Sequence, residues 1–282
     1  MSIRAVASKD FLDARRARIV WFVGIHYTLL IVLFFLQVRL DGAEGPPDLL
    51  VALWNMVFVG AVFVPAIALV AAYLAIAGER ESGSIKRLLS TPISRRDVVL
   101  GKYVSRAGIV AASLLLGFVV ASMLAVAWFD SFPAAALARI AALTTLYALS
   151  YVAVAIGISA ATATRSRAMV GALGFYFATN LVTLNDDVSG LAGIEYVLND
   201  VFELGIGREP IQFVGMLTNP TRAYLVSTIG VFPEDLVGRM DLPAPDDLSW
   251  YVQPEVAVVI LGIWLLVPVL LGVKRFERAD VS

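Results

Sequence analysis

Cysteine is absent from the chain and histidine occurs once, at His26. The first absence excludes disulfides and thiolate metal sites, and the second leaves no imidazole cluster to hold a metal ion. Charge is scarce as well: Asp, Glu, Lys and Arg make up 16% of the 282 residues against 59% hydrophobic ones, which excludes an ordinary water-soluble domain. Clustered acids, lysines or histidines inside the apolar runs are almost missing. An intramembrane lipid hydrolase or transferase needs such groups as acids, bases or metal ligands, so that class is disfavoured. What remains is an all-α, polytopic membrane protein. Its formal net charge of −1 says little, because the informative quantity is how charge divides between the two sides.

Six apolar runs read as spans, over about 19–38, 49–77, 104–128, 137–164, 168–184 and 255–273, in a single domain covering 1–282. The first is too long for a cleaved signal peptide, and no small-x-small site follows it. Pro65 predicts a kink in the second. In the fourth, Ala153, Gly157 and Ala161 recur at four-residue spacing, which lets another helix approach closely. The N-terminal arm (Arg4, Lys9, Arg15, Arg16, Arg18), the stretch from Gly78 to Tyr103, the Arg165/Arg167 turn and the tail with Lys274, Arg275 and Arg278 are the basic segments. Alternate loops are acidic or neutral, so the positive-inside rule predicts both termini in the cytoplasm. The segment 185–254 then lies outside. Leu191, Ile194, Leu198, Val201 and Phe202 recur there at helical spacing, which fits amphipathic helices at the outer interface or a small packed cap. Residues 232–247, with three prolines among acids, read as irregular.

The stretch GERESGSIKRLLSTPISRRDVVLGKY, Gly78 to Tyr103, is the one charged and sharply punctuated passage in the first half. Ile85, Leu88 and Leu89 at helical spacing predict a short amphipathic helix, which Thr91-Pro92 terminates. Ser94 stands three residues before Asp97, the spacing of a capping box, so a new helix starts there. Gly101-Lys102 is not a phosphate-binding loop: that motif needs a glycine five residues earlier and Ser or Thr after it, where this chain has Arg96 and Tyr103.

The stretch resembles the signature region of the ABC-2 type permeases, membrane subunits of ATP-binding-cassette exporters. Glu79, Glu81, Gly83, Lys86, Leu88, Leu89, Pro92, Ser94, Arg95, Gly101 and Lys102 match that pattern, with Ser84 where threonine is usual. The resemblance implies a cytoplasmic coupling helix between the second and third spans that packs on a separate ATPase subunit. It also implies a second permease copy or a related permease, and no cofactor in this chain, ATP and Mg being held by the ATPase. A lipid membrane is the setting and no nucleic acid is involved. Among subgroups the chain most resembles the kind associated with copper maturation of nitrous-oxide reductase, although no metal site supports copper as cargo. Asn219-Pro220 followed by Ala223-Tyr224 resembles a short passage found before the last span in some members.

Asn55, Thr144, Tyr147, Tyr151 and Asn180 are polar positions within the expected spans. They are candidates for lining a path, and the alternative for each is interhelical hydrogen bonding. As a set they suit amphipathic or lipid-like cargo better than a bare ion. A different class of function is a non-transporting scaffold or sensor that docks an external protein on the acidic segment 185–254.

Overall fold

In the computed structural model the described residues are 3–41, 49–130, 132–180, 193, 195–239, 242 and 244–279, and no strand occurs among them. The helices are α1 (Ile3–Arg16), α2 (Ile19–Asp41), α3 (Leu49–Ala72), α4 (Ala77–Glu81), α5 (Ser84–Leu89), α6 (Arg95–Trp128), α7 (Ala134–Ala161), α8 (Arg165–Asn180), α9 (Arg208–Thr218), α10 (Pro220–Ile229), α11 (Glu234–Arg239) and α12 (Pro254–Glu277).

Among the described residues α2, α3, α6, α7 and α12 are long and apolar enough to cross a membrane. The span expected over 168–184 corresponds to α8, whose 16 residues at about 1.5 Å each fall short of a full crossing. Positions 181–184 lie outside the described residues.

The helix α7 is central: 72% of its apolar stretch is buried, against 28% for α2 and 33% for α12 at the periphery. Its closest partner is α12. A Cβ on Gly157 would lie 2.6 Å from the Pro268 carbonyl oxygen, and one on Gly272 would lie 2.9 Å from the Gly157 Cα, so the small-residue stripe on α7 is what lets these backbones touch.

The basic segments converge on one end of the bundle. There α1 lies along the start of α6, Glu81 reaches the first turn of α8, and Arg95 reaches the last turn of α12. At the opposite end Phe35 meets Phe129 and Trp54 meets Phe232. Because α8 begins at the basic end and α12 at the other, the chain passes from one end to the other between Arg165 and Pro254.

Two features depart from the sequence reading. The N-terminal arm is an amphipathic helix with buried Val6, Asp10 and Ala14. Within the segment expected outside, α9 and α10 instead form a hairpin whose Asn219-Pro220 corner sits level with the midpoints of α3 and α7, since Thr221 and Tyr224 meet Tyr147, Thr144 and Gly60 there. A broken helix at that depth must satisfy its own backbone. Pro220 has no N–H to orphan, the Asn219 carboxamide oxygen accepts from Thr221 N at 2.9 Å, and its nitrogen donates to the Thr179 carbonyl of α8 at 2.9 Å.

Candidate functional site

The stretch Gly78 to Tyr103 holds two short helices, α4 and α5, before α6 begins; the amphipathic helix expected from Ile85, Leu88 and Leu89 is α5. Gly83 stands between α4 and α5 at φ 71°, a left-handed conformation that glycine adopts without strain. Ile85 is fully buried, Leu88 and Leu89 are half-buried against the same core, and Lys86, Arg87 and Pro92 are exposed. The hydroxyls of Ser90 and Thr91 donate to the carbonyls of Arg87 and Leu88 and close the end of α5. The capping box is present: Ser94 accepts from Asp97 N at 3.1 Å while the Asp97 carboxylate accepts from Ser94, and α6 runs unbroken to Trp128.

Behind this face lies a buried charge cluster. Lys102 Nζ is 3.0 Å from Asp10 Oδ1 and 3.0 Å from Glu79 Oε1. Arg106 Nε donates to Asp10 Oδ2 at 2.9 Å, and its Nη1 donates to the Ala71 carbonyl at the end of α3 at 3.0 Å. Burial by itself pushes the Asp10 carboxyl up, but the charges and hydrogen bonds of Lys102 and Arg106 outweigh it and hold the group below its ordinary value. The helix α1 reaches this position because residue 101 is glycine: a Cβ there would lie 2.6 Å from Val6 Cβ and 2.9 Å from the Ile3 carbonyl oxygen. Gly101 and Lys102 thus belong to one device, which seats α1 on α6 and pins it to α4.

The other charged positions close helix ends. Glu81 accepts from Arg165 N at the start of α8, where a carboxylate faces the positive end of the helix dipole. Arg80 Nη1 donates to the Thr162 carbonyl at 2.8 Å, just past α7, and Ser159 of α7 accepts from both Ile76 N and Ala77 N at 3.0 Å. Arg95 Nη1 donates to the carbonyls of Phe276 and Glu277 at 3.0 Å each, and the guanidinium groups of Arg80 and Arg95 both lie over the Phe276 ring, 5.9 and 5.8 Å from its centre. The unit α4–α5 is thereby bonded to α6, α7 and α8, and through Lys102 to α1, and Arg95 ties the start of α6 to α12.

The polar positions form a second, separate network. Tyr147 bonds to Thr221, and Tyr151 bonds to Thr221, Thr179 and Asn180. Thr144 pairs with the Tyr224 hydroxyl, and the Tyr147 and Tyr224 rings stack at 4.2 Å. Thr144, Tyr147, Tyr151 and Asn180 are all buried; Asn55 is exposed on α3, apart from them. Among the described residues no group of three His, Cys, Asp or Glu could hold a metal ion.

A family model described as ABC-2 family transporter protein matches residues 4–281. The chain belongs to the ABC-2 transporter family. This ABC-2 family chain is 25% identical over 283 residues to the Probable ABC transporter permease protein NosY of Pseudomonas aeruginosa, with 98% of each chain covered. It is 26% identical over 286 residues to the protein of the same name from Stutzerimonas stutzeri, with 97% of each covered. It is therefore a multi-pass membrane subunit of an ABC transporter, and ATP hydrolysis lies in separate ATPase subunits.

Sequence reasoning passed over Asp10, Arg106, Thr179 and Thr221. Arg106 carried a usable signal, since an ionisable group inside an apolar run requires a partner.

Proposed function

We propose that this ABC-2 family chain is the permease subunit of an exporter and that α4–α5 receives the movement of a cassette ATPase and passes it to the spans. The observation that carries this reading is that one short unit, exposed at Lys86 and Arg87, is bonded on its other side to α6, α7 and α8, and through Lys102 to α1. Packed elements joined in this way shift together, because close-packed interfaces do not deform continuously. In this reading Glu79, Glu81, Gly83, Arg95, Gly101 and Lys102 build and seat the unit, while Lys86, Leu88, Leu89 and Pro92 meet the ATPase, which holds ATP and Mg.

The basic end faces the cytoplasm by the positive-inside rule, with both termini on that side, and α8 begins the fifth of six crossings. Single cysteines at Ser84, Ser166 and Ser249 test this: the first two label only from the cytoplasm and the third only from outside. External labelling at Ser84 overturns the orientation.

The chain works with a second permease. A route past α7 opens when Thr221 leaves Tyr147 and Tyr151, which makes Thr144, Tyr147, Tyr151 and Asn180 a closed plug in the present arrangement. Its mild polarity suits amphipathic cargo.

The test of coupling is the double variant K86E/R87E in the complex with its ATPase. Both side chains are exposed, so folding is retained. Reversing charge at an interface rim slows association in a salt-dependent way, so stimulation of ATP hydrolysis is lost at low salt. Normal stimulation by the variant sinks the assignment. The scaffold reading has its own support in the exposed Tyr196, Phe202 and Trp250 at the opposite end; it predicts that no ATPase co-purifies with the chain.

A further inference from the structure

An open groove of 630 Å³ runs along the outer surface between α2 and α6. It is deep because small residues line it: Gly24 on α2, Gly108 and Ala112 on α6. A Cβ added at Gly108 would meet no atom within 4 Å. On α2 the groove extends from Val20 to Val32. That is about 18 Å at 1.5 Å per residue, close to the depth of one leaflet of a hydrocarbon core about 30 Å thick.

The mouth of the groove has a different chemistry. Phe11 of α1 forms its rim, 42% exposed, and Arg15 follows one helical turn later on the same face. Arg16 and Arg18 complete the corner between α1 and α2, and all three guanidinium groups are exposed. The two acids of α1 are already engaged, Asp10 with Lys102 and Arg106, and Asp13 with Lys9 at 3.8 Å. Three cations with no acid partner among the described residues therefore stand over an apolar slot one leaflet deep.

We propose that α1 and the α2–α6 groove form a binding site for an anionic phospholipid, with an acyl chain in the groove and the phosphate on Arg15 and Arg18. A zwitterionic lipid matches the groove but not the net charge at its mouth. Exposed Phe11 and Leu12 set α1 at the boundary between headgroups and acyl chains, the depth at which a basic amphipathic helix meets anionic lipid. The bound lipid would hold α1 down on α6, beside the Asp10 cluster.

The test is native mass spectrometry of the delipidated full-length chain with added phosphatidylglycerol or phosphatidylcholine of matched acyl composition. The wild-type chain retains phosphatidylglycerol in preference. R15Q/R18Q loses on the order of tenfold of that retention and leaves phosphatidylcholine unchanged, while R15K/R18K keeps the preference. G108L, which fills the groove, lowers retention of both lipids. Thermal melting verifies that each variant is folded. Equal retention of the two lipids by the wild-type chain, or an undiminished preference in R15Q/R18Q, overturns the proposal. So does displacement of phosphatidylglycerol by inorganic phosphate, which would make the site one for a free anion, or disulfide cross-linking of two copies through G108C in native membranes, which would make the groove a contact between permeases.

Discussion

The Tyr147 hydroxyl donates across 2.9 Å to the carbonyl of Ala61, the carbonyl that Pro65 leaves without a helical donor. Tyr176 from α8 and Tyr27 from α2 donate to the neighbouring carbonyls of Val62 and Val64, at 3.1 and 3.0 Å. Tyrosines from three helices thus surround the proline break in α3, and the deficit that one residue creates in the backbone fixes how its neighbours pack.

Tyr147→Phe should therefore destabilise the chain by about 1–2 kcal/mol, because it strands a buried acceptor. Pro65→Ala restores the helical donor, so the same tyrosine change should cost much less in a Pro65→Ala background. Thermal unfolding of the four proteins in this cycle provides the measurement, and simple additivity would refute the link.

Asp10→Asn removes the carboxylate that Lys102 and Arg106, both buried, share. Breaking a buried pair from one side costs about 3 kcal/mol or more, since the remaining charges stay desolvated. The expected result is release of α1 from α6, seen as faster tryptic cleavage at Arg15 and Arg16, with insertion of the long helices retained.

The same group predicts a pH dependence. The folded Asp10 carboxyl lies below its ordinary value of 3.8, so its contribution is fully present above that pH and is lost as pH falls through the lower folded value. Thermal stability attributable to Asp10, taken as wild type minus Asp10→Asn, should be flat from neutral pH to about 4 and shrink below 3.8. A difference that begins to fall near pH 6 would point to another group.

Gly101→Val drives a side chain into Val6 and the backbone of Ile3. Overpacking of this kind costs about 1–3 kcal/mol and should act only by lifting α1. Gly108→Val, two helical turns further along α6 where an added Cβ meets nothing within 4 Å, is the control and should leave stability within about 0.5 kcal/mol. Equal effects at the two positions would mean that α1 does not rest on Gly101 in the membrane.

Where hydrophobicity alone decides, the sequence was readable. The runs 19–38 and 255–273 lie within α2 and α12, and the Ser94/Asp97 box marks the start of α6, because capping is a local exchange of two hydrogen bonds. Asp10 was not readable, because a charge in a short amphipathic helix looks solvated until its partners, about ninety positions away, are brought to it. The α9–α10 hairpin was missed for a related reason. It is too short and too polar to read as a span, and its depth depends on a hydroxyl of α7 and a backbone carbonyl of α8 that satisfy it. Thr144, Tyr147 and Tyr151 share one buried face of α7, but the groups opposite them, Thr221 and Tyr224, lie some seventy to eighty residues on.

The Asp10–Lys102 contact spans 92 positions in the chain. During synthesis α1 is made before α2 and α3, and the residues that neutralise Asp10 leave the ribosome only after both of those. Until then α1 has no seat, and its carboxylate stays hydrated at the membrane surface. Docking of α1 is thus a late checkpoint in biogenesis, passed only by chains whose α6 has arrived in register, and nascent chains halted before Lys102 should present a helix that quality-control proteases can grip.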